Sequence, residues 1–142
     1  MITVAAALAR KKLAPVAVSP DATVMEALQV MAEKNIGSVV VMQDGTYQGI
    51  ITERDYSRKV ILKGKSSTDT KVSEIMSTDL PSVSPSDTIE HCMEVMTNRN
   101  IRYMPVFHSG SMTGIISMSD VVKEMILAQR ETIHQLQNYI SS

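Results

Sequence analysis

The chain has 142 residues, enough for a compact globule that buries well over half of the surface its unfolded form exposes. Hydrophobic residues at 44% and charged residues at 20% exclude the disordered and fibrous classes. A formal net charge of -1 excludes a basic face large enough to hold nucleic acid by phosphate neutralisation.

Residues 1–15 read as a helical lead-in. Its apolar stretch, Val4 to Ala9, is too short for a signal-peptide core, and the basic residues Arg10, Lys11 and Lys12 follow it rather than precede it. No run approaches the ~20 apolar residues of a membrane span. The single cysteine, Cys92, cannot form an internal disulfide, which fits a reducing compartment. A cytoplasmic protein with no membrane partner is expected.

From Val18 onward the chain repeats. Val18–Asp55 laid without gaps over Val83–Asp120, 65 residues on, gives 14 identical pairs among 38. Unrelated segments of that length share roughly two or three. Boundaries follow at 16–63 for the first repeat, 64–80 for a linker and joint, 81–127 for the second repeat and 128–142 for a helical extension.

In the first copy, Thr23-Val24-Met25-Glu26 predicts a capped helix start, and Val24, Ala27, Leu28 and Met31 recur at helical spacing. Ser38 to Met42 predicts a strand, Asp44-Gly45 a hairpin turn, and Gly49-Ile50-Ile51-Thr52 the returning strand. Asp55 then falls at the start of a following helix. Gly64 to Thr70 is a polar linker, and Val72-Ser73-Glu74-Ile75-Met76 predicts a short helical turn. The second copy offers Ile89, Cys92, Met93 and Met96 as the helix stripe, so Cys92 replaces Ala27 as a small hydrophobe. Tyr103 to Phe107, Ser109-Gly110 and Gly114 to Ser117 repeat the hairpin, and Asp120 repeats Asp55. Beyond it, Val122, Ile126, Ile133, Leu136 and Ile140 form an apolar stripe, predicted to pack over the module or against a second chain.

Each copy resembles a CBS domain, named after cystathionine β-synthase, and the tandem resembles a stand-alone Bateman module. The carriers are Gly49-Ile50-Ile51-Thr52-Glu53-Arg54-Asp55 and Gly114-Ile115-Ile116-Ser117-Met118-Ser119-Asp120, similar to the family's Gly-hydrophobic-x-Ser/Thr-x-x-Asp nucleotide motif. Tyr103-Met104-Pro105-Val106 resembles its strand signature and Val72 to Met76 its inter-domain joint. The resemblance implies an α+β fold: two β-α-β-β-α repeats packed as one pseudo-twofold module, with a long C-terminal helix. It also implies a homodimer of modules.

Ionised Asp55 and Asp120 can each accept hydrogen bonds from the two vicinal hydroxyls of a ribose, with Thr52 and Ser117 adding hydroxyls. The same pairs are also helix caps, and one aspartate can do both. For the adenine, Ile36, Gly37 and Ser38 stand at positions matching Ile101, Arg102 and Tyr103, with Pro105 in the following strand. Ordinary core and edge-strand packing accounts for part of that set. Arg54, Arg58, Lys65 and Arg102 are the candidate phosphate cations. Arg54 has only Ser119 as its counterpart, so the copies are expected to differ in phosphate chemistry.

His91, His108 and His134 show no metal-ligand spacing, and no metal is expected. Gly64-Lys65-Ser66 mimics the end of a Walker loop, but Lys59 stands where its first glycine belongs. No nucleophile elbow or dinucleotide loop is present, so the chain is not expected to be an enzyme. The leading reading is a regulatory module that binds AMP, ADP, ATP or NAD, senses energy or redox state and signals to an unidentified regulated protein. The alternative is a homodimeric interaction module with no obligatory ligand.

Overall fold

The computed structural model describes residues 1–11 and 14–141; Lys12, which ends the basic run, and residues 13 and 142 lie outside the described residues. The elements are α1 (Val4–Lys11), β1 (Ala17–Val18), α2 (Val24–Lys34), β2 (Ser38–Gln43), β3 (Thr46–Thr52), α3 (Glu53–Tyr56), a π-helical turn (Ser57–Ile61), α4 (Val72–Ile75), α5 (Ile89–Arg99), β4 (Tyr103–His108), β5 (Ser111–Ser117) and α6 (Met118–Ser141). The fold is α+β, with two sheets and a long C-terminal helix. Ala14–Pro81 forms one compact unit; Met1–Leu13 with Ser82–Ser142 forms the other. Each has its own apolar core.

Local chemistry sets the elements. The Thr23 hydroxyl accepts from the Glu26 amide at 3.1 Å and the Thr88 hydroxyl from that of His91 at 3.1 Å, satisfying amides the helix leaves open. Asn35 and Asn100, each at φ 53°, close the two helices in the left-handed region that asparagine tolerates. Both hairpins turn on consecutive positive-φ residues, Asp44-Gly45 and Ser109-Gly110, whose twist matches that of the flanking strands. Both place the strand start opposite the motif hydroxyl, Ser38 against Thr52 and Tyr103 against Ser117.

The copies differ at the lead-in strand. In the first, Ala17 and Val18 pair parallel with Val40 and Val41, and the Val40 amide donates to the Val16 carbonyl at 2.9 Å. Pro105 stands in place of Val40 and has no amide hydrogen to donate. The second copy therefore retains a single parallel bridge, Val83 to Val106.

The lead-in and the joint have equivalent positions. The Val72 and Ser73 amides donate to the carbonyls of Ala22 and Pro20; those of Val4 and Ala5 donate to Asp87 and Pro85, the repeat counterparts. Thus α4 packs on the first repeat as α1 packs on the second. Their ends diverge for a local reason. The alanine-rich α1 is a strong helix former and continues to Arg10 and Lys11. In contrast, α4 runs into Ser77-Thr78-Asp79-Leu80-Pro81, which favours turns and extended backbone. Ser77 instead makes a strand-like bridge with Ile50, bonding in both directions at 2.8 and 3.0 Å.

Of the two packings expected for the terminal stripe, the one over the module does not occur. Val122, Ile126, Ile133, Leu136 and Ile140 are exposed, and α6 turns Val121, Glu124 and, in part, Met125 inward. The inward face lies one position from the most apolar stripe, and Arg10 compensates one oxygen of the buried Glu124. The Arg10 Nε donates to Glu124 Oε1 at 2.8 Å, while Glu124 Oε2 is buried with no hydrogen-bond partner among the described residues.

Cys92 is fully buried in the second core. Burial, then the Asp87 carboxylate, pushes its thiol up from 9.0 to about 11. The thiolate is the reactive form, so thiol reagents at pH 8 should leave Cys92 unmodified until the protein unfolds. Because the folded value is raised, this stabilisation is complete below pH 9 and is lost as pH rises through about 11. A Cys92→Ala variant should lose less stability over that range. Labelling as fast as that of a free thiol would contradict the assignment.

Candidate functional site

The motif acids sit where a hairpin ends and a helix begins, once in each unit. In the first unit, Thr52 and Asp55 form a reciprocal cap: the Asp55 amide donates to Thr52 Oγ1 at 3.0 Å, and the Thr52 amide donates to Asp55 Oδ2 at 3.0 Å. The Thr52 hydroxyl also reaches Oδ2, at 3.0 Å. On Oδ1, Asp55 accepts from the Ser77 hydroxyl at 2.9 Å and pairs with Lys59 Nζ at 2.9 Å. Asp55 is buried, and these four bonds use the ~4 lone-pair positions of a carboxylate.

In the second unit, the Ser117 amide donates to Asp120 Oδ2 at 2.9 Å and the Asp120 amide to Ser117 Oγ at 3.1 Å. Lys11 Nζ, supplied by α1, reaches the same Oδ2 at 3.0 Å and also donates to the Ile115 carbonyl at 3.2 Å. Asp120 Oδ1 has no hydrogen bond among the described residues. The two acids therefore share a backbone setting and differ in how much of each carboxylate is already used.

The adenine candidates divide between core and site margin. Ile36 and Ile101 pack against the two cores, and Pro105 is buried within β4 opposite Ile115. Gly37, Ser38 and Tyr103 are half-buried at the strand starts beside the capped acids. The link is direct: the Gly37 carbonyl accepts from the Glu53 amide at 3.2 Å, and the Arg102 carbonyl accepts from that of Met118 at 2.8 Å. Of the cation candidates, Arg54 is half-buried on α3, while Arg58, Lys65 and Arg102 are exposed.

Lys59 and Lys11 each form an ion pair with one of the acids. For Lys59 the signal was present, four residues after Asp55 on one helical face. Lys11 carries no local signal, because 109 residues separate it from Asp120. No group of three or more metal-ligating side chains occurs among the described residues. No helix there is long and apolar enough to cross a membrane.

The chain has relatives of known family and fold. The family model for the CBS domain matches residues 6–61 and 72–127, each match taking in part or all of α1 or α4. The chain is 41% identical over 125 residues to the CBS domain-containing protein CBSX3, mitochondrial, of Arabidopsis thaliana, covering 84% of this chain and 61% of that protein. A solved structure of a candidate signal-transduction protein with CBS domains from Burkholderia ambifaria aligns with a TM-score of 0.83 at 38% identity, over 89% of this chain and 96% of that one. The hexameric CBS-CP12 protein from bloom-forming cyanobacteria aligns with a TM-score of 0.67 at 28% identity, over 86% and 80%. The chain belongs to the CBS-domain family of regulatory and signal-transduction modules, and carries two such domains in tandem.

Proposed function

We propose that the chain is a non-catalytic regulatory module that binds an adenine nucleotide, AMP, ADP, ATP or NAD, and signals energy or redox state to a partner protein. The duplicated capped carboxylate carries this reading. Asp55 and Asp120 are each fixed at a helix start by Thr52 or Ser117, beside half-buried strand starts at Gly37-Ser38 and Tyr103. Such an acid accepts a ribose diol, while Ile36, Ile101 and Pro105 form the apolar backing for an adenine. Arg54, Arg58, Lys65 and Arg102 are assigned to the phosphates.

Signalling requires that the nucleotide bind two conformations unequally, since equal affinity shifts nothing. The cytoplasm is the compartment assigned, and buried, unpaired Cys92 supports a reducing one. Equilibrium titration with AMP, ATP and NAD should give saturable binding to at least one of them. Absence of binding to all three would overturn the reading.

The exposed stripe of α6 favours a second reading, a homodimeric interaction module with no obligatory ligand. Val122, Ile126, Gln129, Ile133, Leu136 and Ile140 alternate steps of four and three residues, the spacing of a two-helix seam. Ile126, Ile133 and Ile140 fall at one seam position and Val122 and Leu136 at the other, a pattern that in a parallel arrangement favours two strands. In such a pair Gln129 meets its own copy, and no like charges oppose across the seam. Ile133 and Leu136 are 54% and 57% exposed, so the described residues leave this surface largely open. The hexameric cyanobacterial relative supports self-association within the family.

Sedimentation should show a dimer that dissociates at least tenfold more readily in the Ile133→Glu, Leu136→Glu variant. A dimer unchanged by both substitutions would refute the seam. If Asp55→Asn and Asp120→Asn together leave partner binding and its regulation untouched, the ligand-free reading replaces the first.

A further inference from the structure

We infer that the two acids are not equivalent: Asp120 is the ligand-accepting one, and Lys11 determines its specificity by selecting an adenosine that carries phosphate. This rests on the adenine-nucleotide reading above. It follows from what each carboxylate already holds. Asp55 is engaged on both oxygens, by Thr52 on one and by Ser77 and Lys59 on the other. A ribose diol approaching Asp55 must first displace a hydroxyl or an ammonium.

Asp120 receives Ser117 and Lys11 on Oδ2 alone, and its side chain keeps 12% exposure against 7% for Asp55. No described residue occupies Oδ1, which can accept from a diol. A neutral ribose there leaves the cap intact.

Lys11 then supplies what the second motif lacks. Ser119 occupies the place of Arg54, so the second motif contains no cation of its own. The Lys11 ammonium has three donors, two of them committed to Asp120 and the Ile115 carbonyl. Its long stem is flexible, and the third donor can turn to an anionic substituent on the same ribose. An uncharged adenosine makes no such contact. Arg10, one residue earlier, anchors the end of α1 on Glu124, which holds Lys11 over the acid.

Calorimetric titration of the full chain with AMP and with adenosine tests this, on wild type and on the Lys11→Met, Lys11→Arg, Asp120→Asn and Asp55→Asn variants. One AMP per chain is expected for wild type, and none for Asp120→Asn. Lys11→Met should weaken AMP by at least tenfold while changing adenosine by less than threefold, and Lys11→Arg should restore most of the AMP affinity. Unchanged melting curves separate these effects from unfolding.

Loss of binding in Asp55→Asn but not in Asp120→Asn would overturn the assignment. So would an equal loss of AMP and adenosine in Lys11→Met. If wild type binds AMP, ATP or NAD yet shows either pattern, only this inference fails. If it binds none of them, the nucleotide reading fails and takes this inference with it.

Discussion

Replacing Gly49 by alanine should destabilise the first unit by about 2–4 kcal/mol, whereas the same change at Gly114, the matching motif position, should cost less than about 1 kcal/mol. A Cβ at Gly49 would lie 2.6 Å from the Ser77 carbonyl oxygen, a backbone atom that accepts from the Ile50 amide at 3.0 Å. Relief requires moving the joint and weakening a two-way bridge, so an overpacking cost adds to lost hydrogen bonds. At Gly114 the nearest atoms belong to the end of the Leu8 side chain, at 3.0 and 3.3 Å. Rotation of Leu8 relieves most of that contact. Alanine also reduces the freedom of the unfolded chain, which offsets what is left. Urea denaturation of both variants checks the contrast; equal losses would refute it.

Asp55→Ala should cost about 2–4 kcal/mol and Asp120→Ala about 1–2 kcal/mol. Both lose half of a reciprocal cap. Asp55, 5% exposed, also holds the Ser77 hydroxyl and so ties α3 to the segment after α4. Its pair with Lys59 adds little, because Lys59 is 45% exposed and already donates to the Ile75 carbonyl. Asp120 gives up one backbone bond and its ion pair with Lys11, whose side chain is 29% exposed and also donates to the Ile115 carbonyl. Melting curves should therefore rank Asp55→Ala below Asp120→Ala, and the reverse order would contradict the bond inventory. The asparagine variants keep the shape of the cap, which suits them better to binding measurements.

These contrasts arise between positions that the repeat makes identical. Gly49 and Gly114 coincide in sequence, as do Asp55 and Asp120. Their neighbours differ because the segment packed on each copy differs. One is an alanine-rich helix that runs on to Lys11; the other is a single helical turn that opens into Ser77. The expectation of unequal copies, drawn from Arg54 against Ser119, concerned the motif alone. The structure adds a lysine to each acid and places the larger difference in the carboxylate oxygen each lysine takes.

The tandem repeat, the two hairpins with their positive-φ turns, the capped helices and the position of each acid at a helix start are all legible in the order of residues. Those features depend on residues two to four apart, where side-chain spacing, turn preference and cap hydrogen bonds act directly. Only the tertiary structure decided that α1 belongs with the second repeat, that Lys11 meets Asp120, that Ser77 seals Asp55 and that Glu124 rather than the apolar stripe of α6 turns inward. These outcomes join residues up to 114 positions apart. They follow from which surfaces must be covered together, and local periodicity contains no information about that choice.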